Sequence, residues 1–282
     1  MYAALGTFFL PVLLVLQLLG QNAIAAEASE PISSKSSAQA PAIPVVIKAG
    51  RLLDVENGQI LRDQIVLIEG SKITNLGTNI SVPSNAVIID LSNKFVLPGL
   101  IDCHTHVTDP ADADPIIELQ KSAVDKAFDA IPGAKNTLMS GFTTIRDVGA
   151  YRALVDISIR DAIERGVIEG PRMFVAGAYL TTTGGGGALT GFAPDIQLPW
   201  DLRFGKADGP WEVRQRVRDL AHRGADFIKV IATGAVLTHG SNPSAVEFTP
   251  EELQAATDEA KNFGLKVAAH AHAAAGIKAA VP

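Results

Sequence analysis

The chain is poor in cysteine, in charge and in aromatic residues, and each shortage narrows what it can be. One cysteine in 282 residues, Cys103, rules out any internal disulfide and any cysteine-based zinc ribbon. Charged residues make up 19% and the formal net charge is -6, so no basic field is available for a nucleic-acid backbone. Phe, Tyr and Trp together reach only 6%, and no aromatic stripe marks a protein interface. The one long apolar run, near the N-terminus, is broken by Pro11 and Gln17 and is short for a membrane span. What is abundant is small and apolar: 47% hydrophobic residues, enough for a sizeable core in one large domain or two ordinary ones.

That N-terminal run ends in Ala23-Ile24-Ala25, a small-x-small triplet of the kind cleaved after export. The opening "MYAA" carries no Lys or Arg, which departs from the usual signal peptide. The reading is a signal peptide over residues 1–25, and hence an exported, periplasmic or secreted protein with no membrane partner after cleavage. Residues 26–44 are rich in Ser, Ala and Pro without periodicity and read as a flexible linker.

From Val45 the pattern is β-rich. "VVIKAGRLLD", "QIVLIEGSKITNLG" and "AVIIDLSNKFVLPG" are separated by Asn, Gly and Pro turns and predict a small sheet over residues 45–97. From residue 98 to 282 strands and helices alternate. Five strands are expected, in "LPGLIDCHTHV", "FTTIRDVGA", "PRMFVAGAYLTT", "DFIKVIATG" and "LKVAAHAHA". The helices between them include one ended by Gly170 and one capped by Thr249 with Pro250 in its first turn. This rhythm predicts an α/β fold with a parallel sheet, doubly wound or closed as a (β/α)8 barrel, with ligands at the carboxyl ends of the strands. Cys103 is expected in the core, on the strand face opposite Asp102 and His104.

The polar chemistry does gather at strand ends. His104 and His106 stand at i and i+2 and project to one side, as two ligands of one metal ion would. His270 and His272 repeat the spacing, so four of the six histidines fall into two such pairs. Lys229 interrupts an apolar strand. A lysine there either snorkels or pairs, or its amine is neutralised by burial and becomes a nucleophile able to take up carbon dioxide as a carbamate. His239, in the loop after that strand, and Arg146, at the end of the second strand, are candidates to touch substrate. Arg146 has the alternative of a structural ion pair with Asp147, and His239 that of a solvated loop residue. "TTTGGGGALTG" lacks the ending of a phosphate loop and reads as a mobile loop beside the site.

Taken in order, "VLPGLIDCHTH", "TTIRDVG", "FIKVIATGAV" and "VAAHAHAAAGIKAA" resemble the amidohydrolase superfamily, in its Xaa-Pro dipeptidase-like and imidazolonepropionase-like branch. The resemblance implies a (β/α)8 TIM barrel, with residues 45–97 as the N-terminal part of a small β-sandwich. It implies two divalent metal ions, usually zinc, held by His104, His106, a carboxylated Lys229 and His270, with His272 near the substrate. It implies hydrolysis of a carbon-nitrogen bond in a dipeptide or N-acyl amino acid. Some relatives of that kind cleave other amides with a hydrophobic acyl group, ochratoxin among them. Relatives commonly show Gly-Gly-His-Gly after the third strand, where this chain has Gly184 to Gly187, so the dipeptide substrate is less secure than the reaction class. A mononuclear deaminase or imidazolonepropionase is the competing enzyme reading. It is disfavoured by Ala273, where those relatives place a Glu, and by Lys229 itself. A barrel takes about 250 residues, more than run from Leu97 to Pro282. Only the first five strands are therefore expected here, and the sixth-strand histidine and the eighth-strand aspartate, the general acid/base, are expected beyond Pro282. A truncated product without catalysis is the third reading. Oligomeric state is left open.

Overall fold

The computed structural model describes residues 43–109 and 115–281. The expected signal peptide and all but the last two residues of the expected linker lie outside the described residues. The chain divides between Phe95 and Val96 into two compact units.

In the first unit β1 (Val45–Asp54), β2 (Gln59–Glu69), β3 (Lys72–Gly77) and β4 (Val87–Val96) form one sheet in the order β3-β2-β1-β4. β1 and β2 pair antiparallel, from Val45 opposite Ile68 to Asp54 opposite Gln59. β2 and β3 pair antiparallel across a tight turn in which Gly70 takes φ +62°. The run read from the sequence as one β segment, "QIVLIEGSKITNLG", is thus a hairpin. Among the described residues this unit is a single four-stranded sheet.

The second unit alternates strand and helix: β5 (Leu100–Thr105), α1 (Pro115–Gln120), α2 (Ala123–Met139), β6 (Phe142–Asp147), α3 (Val155–Glu164), β7 (Arg172–Val175), β8 (Tyr179–Leu180), α4 (Gly209–His222), β9 (Phe227–Ile231), α5 (Pro250–Asn262), β10 (Lys266–His270) and α6 (Ala274–Ala280). Every strand pair is parallel. The sheets are β5-β6-β7 and β8-β9-β10, and among the described residues no barrel closes. The strand expected in "PRMFVAGAYLTT" is broken at Gly177, whose φ of +78° and whose N–H bond to Asp156 kink the chain. β7 therefore serves β6, and β8 serves β9.

Local chemistry explains most helix limits. α2 starts at a capping box, Ser122 with Asp125, and runs through Pro132. α5 starts at a second one, Thr249 with Glu252, and Pro250 takes its first turn. α3 ends at Glu164 and not at Gly170. Gly166, at φ +70°, turns the chain, and the Val167 N–H bonds back to Ala162. Apolar side chains fill two main clusters, one around Ile145, Ile157, Met173 and Val175, the other around Leu180, Val217, Leu220, Ile228, Val230 and Phe248. Cys103 is exposed, contrary to its expected place in the core. β5 is the first strand of its sheet, and its register with β6 slips on either side of Ile101–Asp102, so simple two-residue alternation does not hold there.

Candidate metal centre

β9 carries Lys229 into the interior because the whole strand is buried, from Phe227 to Ile231. Ile228 and Val230 pack into the helix-side cluster, so Phe227, Lys229 and Ile231 face the other way. Lys229 is 4% exposed and has no hydrogen bond or ion pair among the described residues. Burial first, then the Arg146 charge, pulls its ammonium down to about 8.

Lys229 lines a cavity of about 390 Å³ together with His104, His106, His270 and His272. The rings of His104 and His106 meet edge to face at 5.3 Å, those of His270 and His272 at 4.6 Å. Burial lowers the pKa of His104, His106 and His270, and the Lys229 charge lowers all three further. The same environment thus favours neutral imidazoles and a neutral amine, the forms whose lone pairs can bind a cation.

Two details suit metal ligands. The His106 Nδ1 lies 3.0 Å from the Gly149 carbonyl, and a proton donated there leaves Nε2 bare. The Tyr179 hydroxyl is also 3.1 Å from that Nδ1. His270 has a backbone hydrogen bond with Gly234, while its Nε2 is buried without a partner. An orphaned imidazole nitrogen on a residue that lines a cavity with three other histidines and Lys229 fits a cation. Among the described residues no three His, Cys, Asp or Glu side chains converge closely enough to hold one ion alone. The histidines form two pairs, and Lys229 is the group sensed by both.

Arg146 and His239 do not reach this cavity. The Arg146 Nε donates to the Cys103 carbonyl at 2.8 Å, and its guanidinium lies 5.4 Å from the Phe227 ring centre. Arg146 forms no ion pair with Asp147, because successive side chains of β6 point to opposite faces. Asp147 turns to the Val107 N–H instead, at 2.6 Å. His239 is exposed and borders a minor recess beside Leu189 and Thr190.

The remaining lining went unread in the sequence. Tyr151 and Tyr179 stack edge to face at 5.3 Å along one wall. Asp109, three residues after His106, accepts from the Tyr151 N–H at 2.8 Å and from Lys126 at 3.2 Å. Gly186 and Gly187 form part of the floor. A Cβ on Gly186 would come within 2.6 Å of the Ala235 nitrogen, so this segment must be glycine to pack where it does. Only the placement of the "TTTGGGG" run near the site was signalled in advance.

Comparison with known proteins agrees with this arrangement. The pattern of the Amidohydrolase family matches residues 95–281. Ochratoxinase of Aspergillus niger is 32% identical over 253 residues, which is 84% of this chain and 52% of that protein. A Xaa-Pro dipeptidase solved with methionine in its active site is 37% identical with a TM-score of 0.77, over 84% of this chain and 59% of that one. A prolidase solved with N-methylphosphonate-L-proline is 33% identical with a TM-score of 0.76, over 84% and 58%. The chain thus spans roughly half to three-fifths of the length of these relatives. The match covers well over half of the sequence and includes every strand that lines the cavity: this chain belongs to the amidohydrolase family.

Proposed function

We propose that the protein is a metal-dependent hydrolase of carbon-nitrogen bonds, of the amide or peptide type. The observation that carries this is Lys229: a buried amine with no partner, held near neutrality, in one cavity with two histidine pairs. His104, His106, His270 and a carbamate on Lys229 would hold two divalent ions, with zinc suited to imidazole and carboxylate donors. The carbamate forms when the neutral amine attacks carbon dioxide: an N–C bond is made, one N–H proton leaves, and a cation becomes an anionic oxygen donor. That change answers a structural need, since neither histidine pair has a third ligand of its own.

When bound, the ions supply Lewis-acid activation of water and of the scissile carbonyl. The chain's own groups shape the rest. Tyr151, Tyr179 and Ile231 keep one side of the cavity largely apolar, and Val236 and Leu237 extend this on the loop after β9. Among the described residues no arginine lines the cavity. This favours a substrate whose half lying against these loops is neutral and hydrophobic, such as an N-acyl amino acid or a blocked dipeptide. His272 stands beside His270 in the cavity wall, with its backbone N–H bonded to Thr233 Oγ1 at 3.0 Å, which supports a role for it in contacting that substrate. The proton-shuttling aspartate is assigned to no residue of this chain. Residues 1–25 are read as the export signal, and the protein as periplasmic or secreted.

The test is metal stoichiometry with carbonate labelling. The chain refolded with zinc and ¹³C-bicarbonate should hold two zinc ions and show a carbamate carbon signal, both diminished in Lys229→Ala. Turnover of N-acyl dipeptides should require zinc. Two zinc ions bound equally well by Lys229→Ala would sink the assignment.

A further inference from the structure

The segment "RDVG" straddles the end of β6, and three of its residues bear on His106. Asp147 is wholly buried. Its Oδ2 accepts the Val107 N–H at 2.6 Å and faces Thr105 Oγ1 at 3.4 Å. The Gly149 amide also bonds to this side chain, whose pKa burial first, then the Asp156 charge, pushes up. The Val148 N–H donates to the Thr105 carbonyl at 2.9 Å, and the Gly149 carbonyl lies 3.0 Å from His106 Nδ1. Three consecutive residues therefore grip the segment 105–107 from one side, above and below His106. Gly149 can take part only as glycine: its φ is +110°, and a Cβ would come within 2.9 Å of the Tyr179 ring.

We infer that Asp147 is a positioning residue for His106, joining the ends of β5 and β6 so that the Gly149 carbonyl holds the Nδ1 proton and Nε2 is presented to the cavity. This rests on the metal-centre reading for its consequence, though not for its geometry. β5 needs such a brace. Its pairing with β6 slips before Thr105, and His106 lies just past the last strand residue. The Oδ2 of Asp147, at the end of β6, supplies a side-chain acceptor for the Val107 N–H where the ladder between the two strands has ended.

The experiment uses the full chain and two readouts. The first is the ¹⁵N spectrum of the histidine rings in metal-free protein. Wild type should show His106 protonated on Nδ1 and bare on Nε2, Asp147→Ala a mixture of tautomers, and Asp147→Asn the wild-type state, because the amide oxygen still accepts from Val107. The second is zinc affinity by chelator competition. Asp147→Ala should lose about 10- to 100-fold, Asp147→Asn less than about threefold, and Asp147→Ala should add nothing in a His106→Ala background. Wild-type tautomer and affinity in Asp147→Ala would overturn the inference, as would losses that multiply with His106→Ala. Where the alanine variant does not fold, Asp147→Asn decides alone: loss of the tautomer or of zinc affinity refutes the brace. A wild-type chain that takes up no zinc but keeps the His106 tautomer refutes the metal reading and supports the brace.

Discussion

Lys126 offers the clearest energetic test of how this half of the fold holds together. Its ammonium lies 2.5 Å from Glu118 and 3.2 Å from Asp109, and all three side chains are under 7% exposed. Replacing Lys126 with Met keeps the volume and removes the charge, leaving two buried carboxylates without their counter-ion. Arg152 is close, but its guanidinium is committed to Asp201 at 2.8 Å and to the Glu118 carbonyl at 2.8 Å. It cannot swing over to replace the lysine without breaking those bonds. Removing one partner of a buried pair costs about 3–5 kcal/mol. At roughly 2–4 °C per kcal/mol for a unit of this size, the unfolding midpoint should fall by about 6–20 °C. The control is Lys121→Met. Lys121 also lies 2.5 Å from a carboxylate, that of Asp129, but the two are 43% and 52% exposed and the loss should stay below about 1 kcal/mol. Urea unfolding followed by circular dichroism measures both. The effect should also depend on pH. Burial already raises the Glu118 pKa, and without Lys126 it rises further. A carboxyl whose folded pKa is raised destabilises the fold above that pKa and recovers as pH falls, so Lys126→Met should lie closer to wild type at pH 5 than at pH 8. A loss below about 1 kcal/mol, or a loss equal at both pH values, would refute the argument that burial and not distance sets the worth of this pair.

Three further outcomes are expected. Asp156 is fully buried and its pKa is pushed up to about 6, chiefly by burial. Its folded pKa exceeds the unfolded value, so it lowers stability above about pH 6, and that loss is relieved as pH falls toward 4. The stability difference between wild type and Asp156→Asn should therefore shift in favour of wild type from pH 7.5 to pH 5, and a flat difference would exclude Asp156 as the source. Gly186→Ala drives a methyl group against the Ala235 backbone and should cost about 1–3 kcal/mol by thermal unfolding. A neutral result would mean that the loop after β9 yields freely. Thr249→Ala removes the acceptor for the Glu252 N–H at the head of α5 and should cost about 1 kcal/mol, which Thr249→Ser should restore in the same assay.

The sequence by itself determined the alternation of strands and helices from residue 98 onward. Hydrophobic period and capping residues are local signals, and Ser122, Thr249 and Pro250 act within one turn of chain. The two histidine pairs and Lys229 were legible for the same reason, since the lysine interrupts an apolar strand and each pair stands at a strand's carboxyl end. What only the tertiary structure decided depends on partners far away in sequence. The break of the third strand at Gly177 follows from the bond to Asp156, 21 residues earlier. The exposure of Cys103 follows from the place of β5 at the start of its sheet and its slipped register, neither of which alternation can reveal. Arg146 read as a substrate contact because its type suits one, yet its direction is set by the Cys103 carbonyl 43 residues away. The Tyr151–Tyr179 wall and the Asp147 brace are assembled across separate strands. Such arrangements leave no period in the sequence, because what selects those residues is a neighbour that only folding brings near.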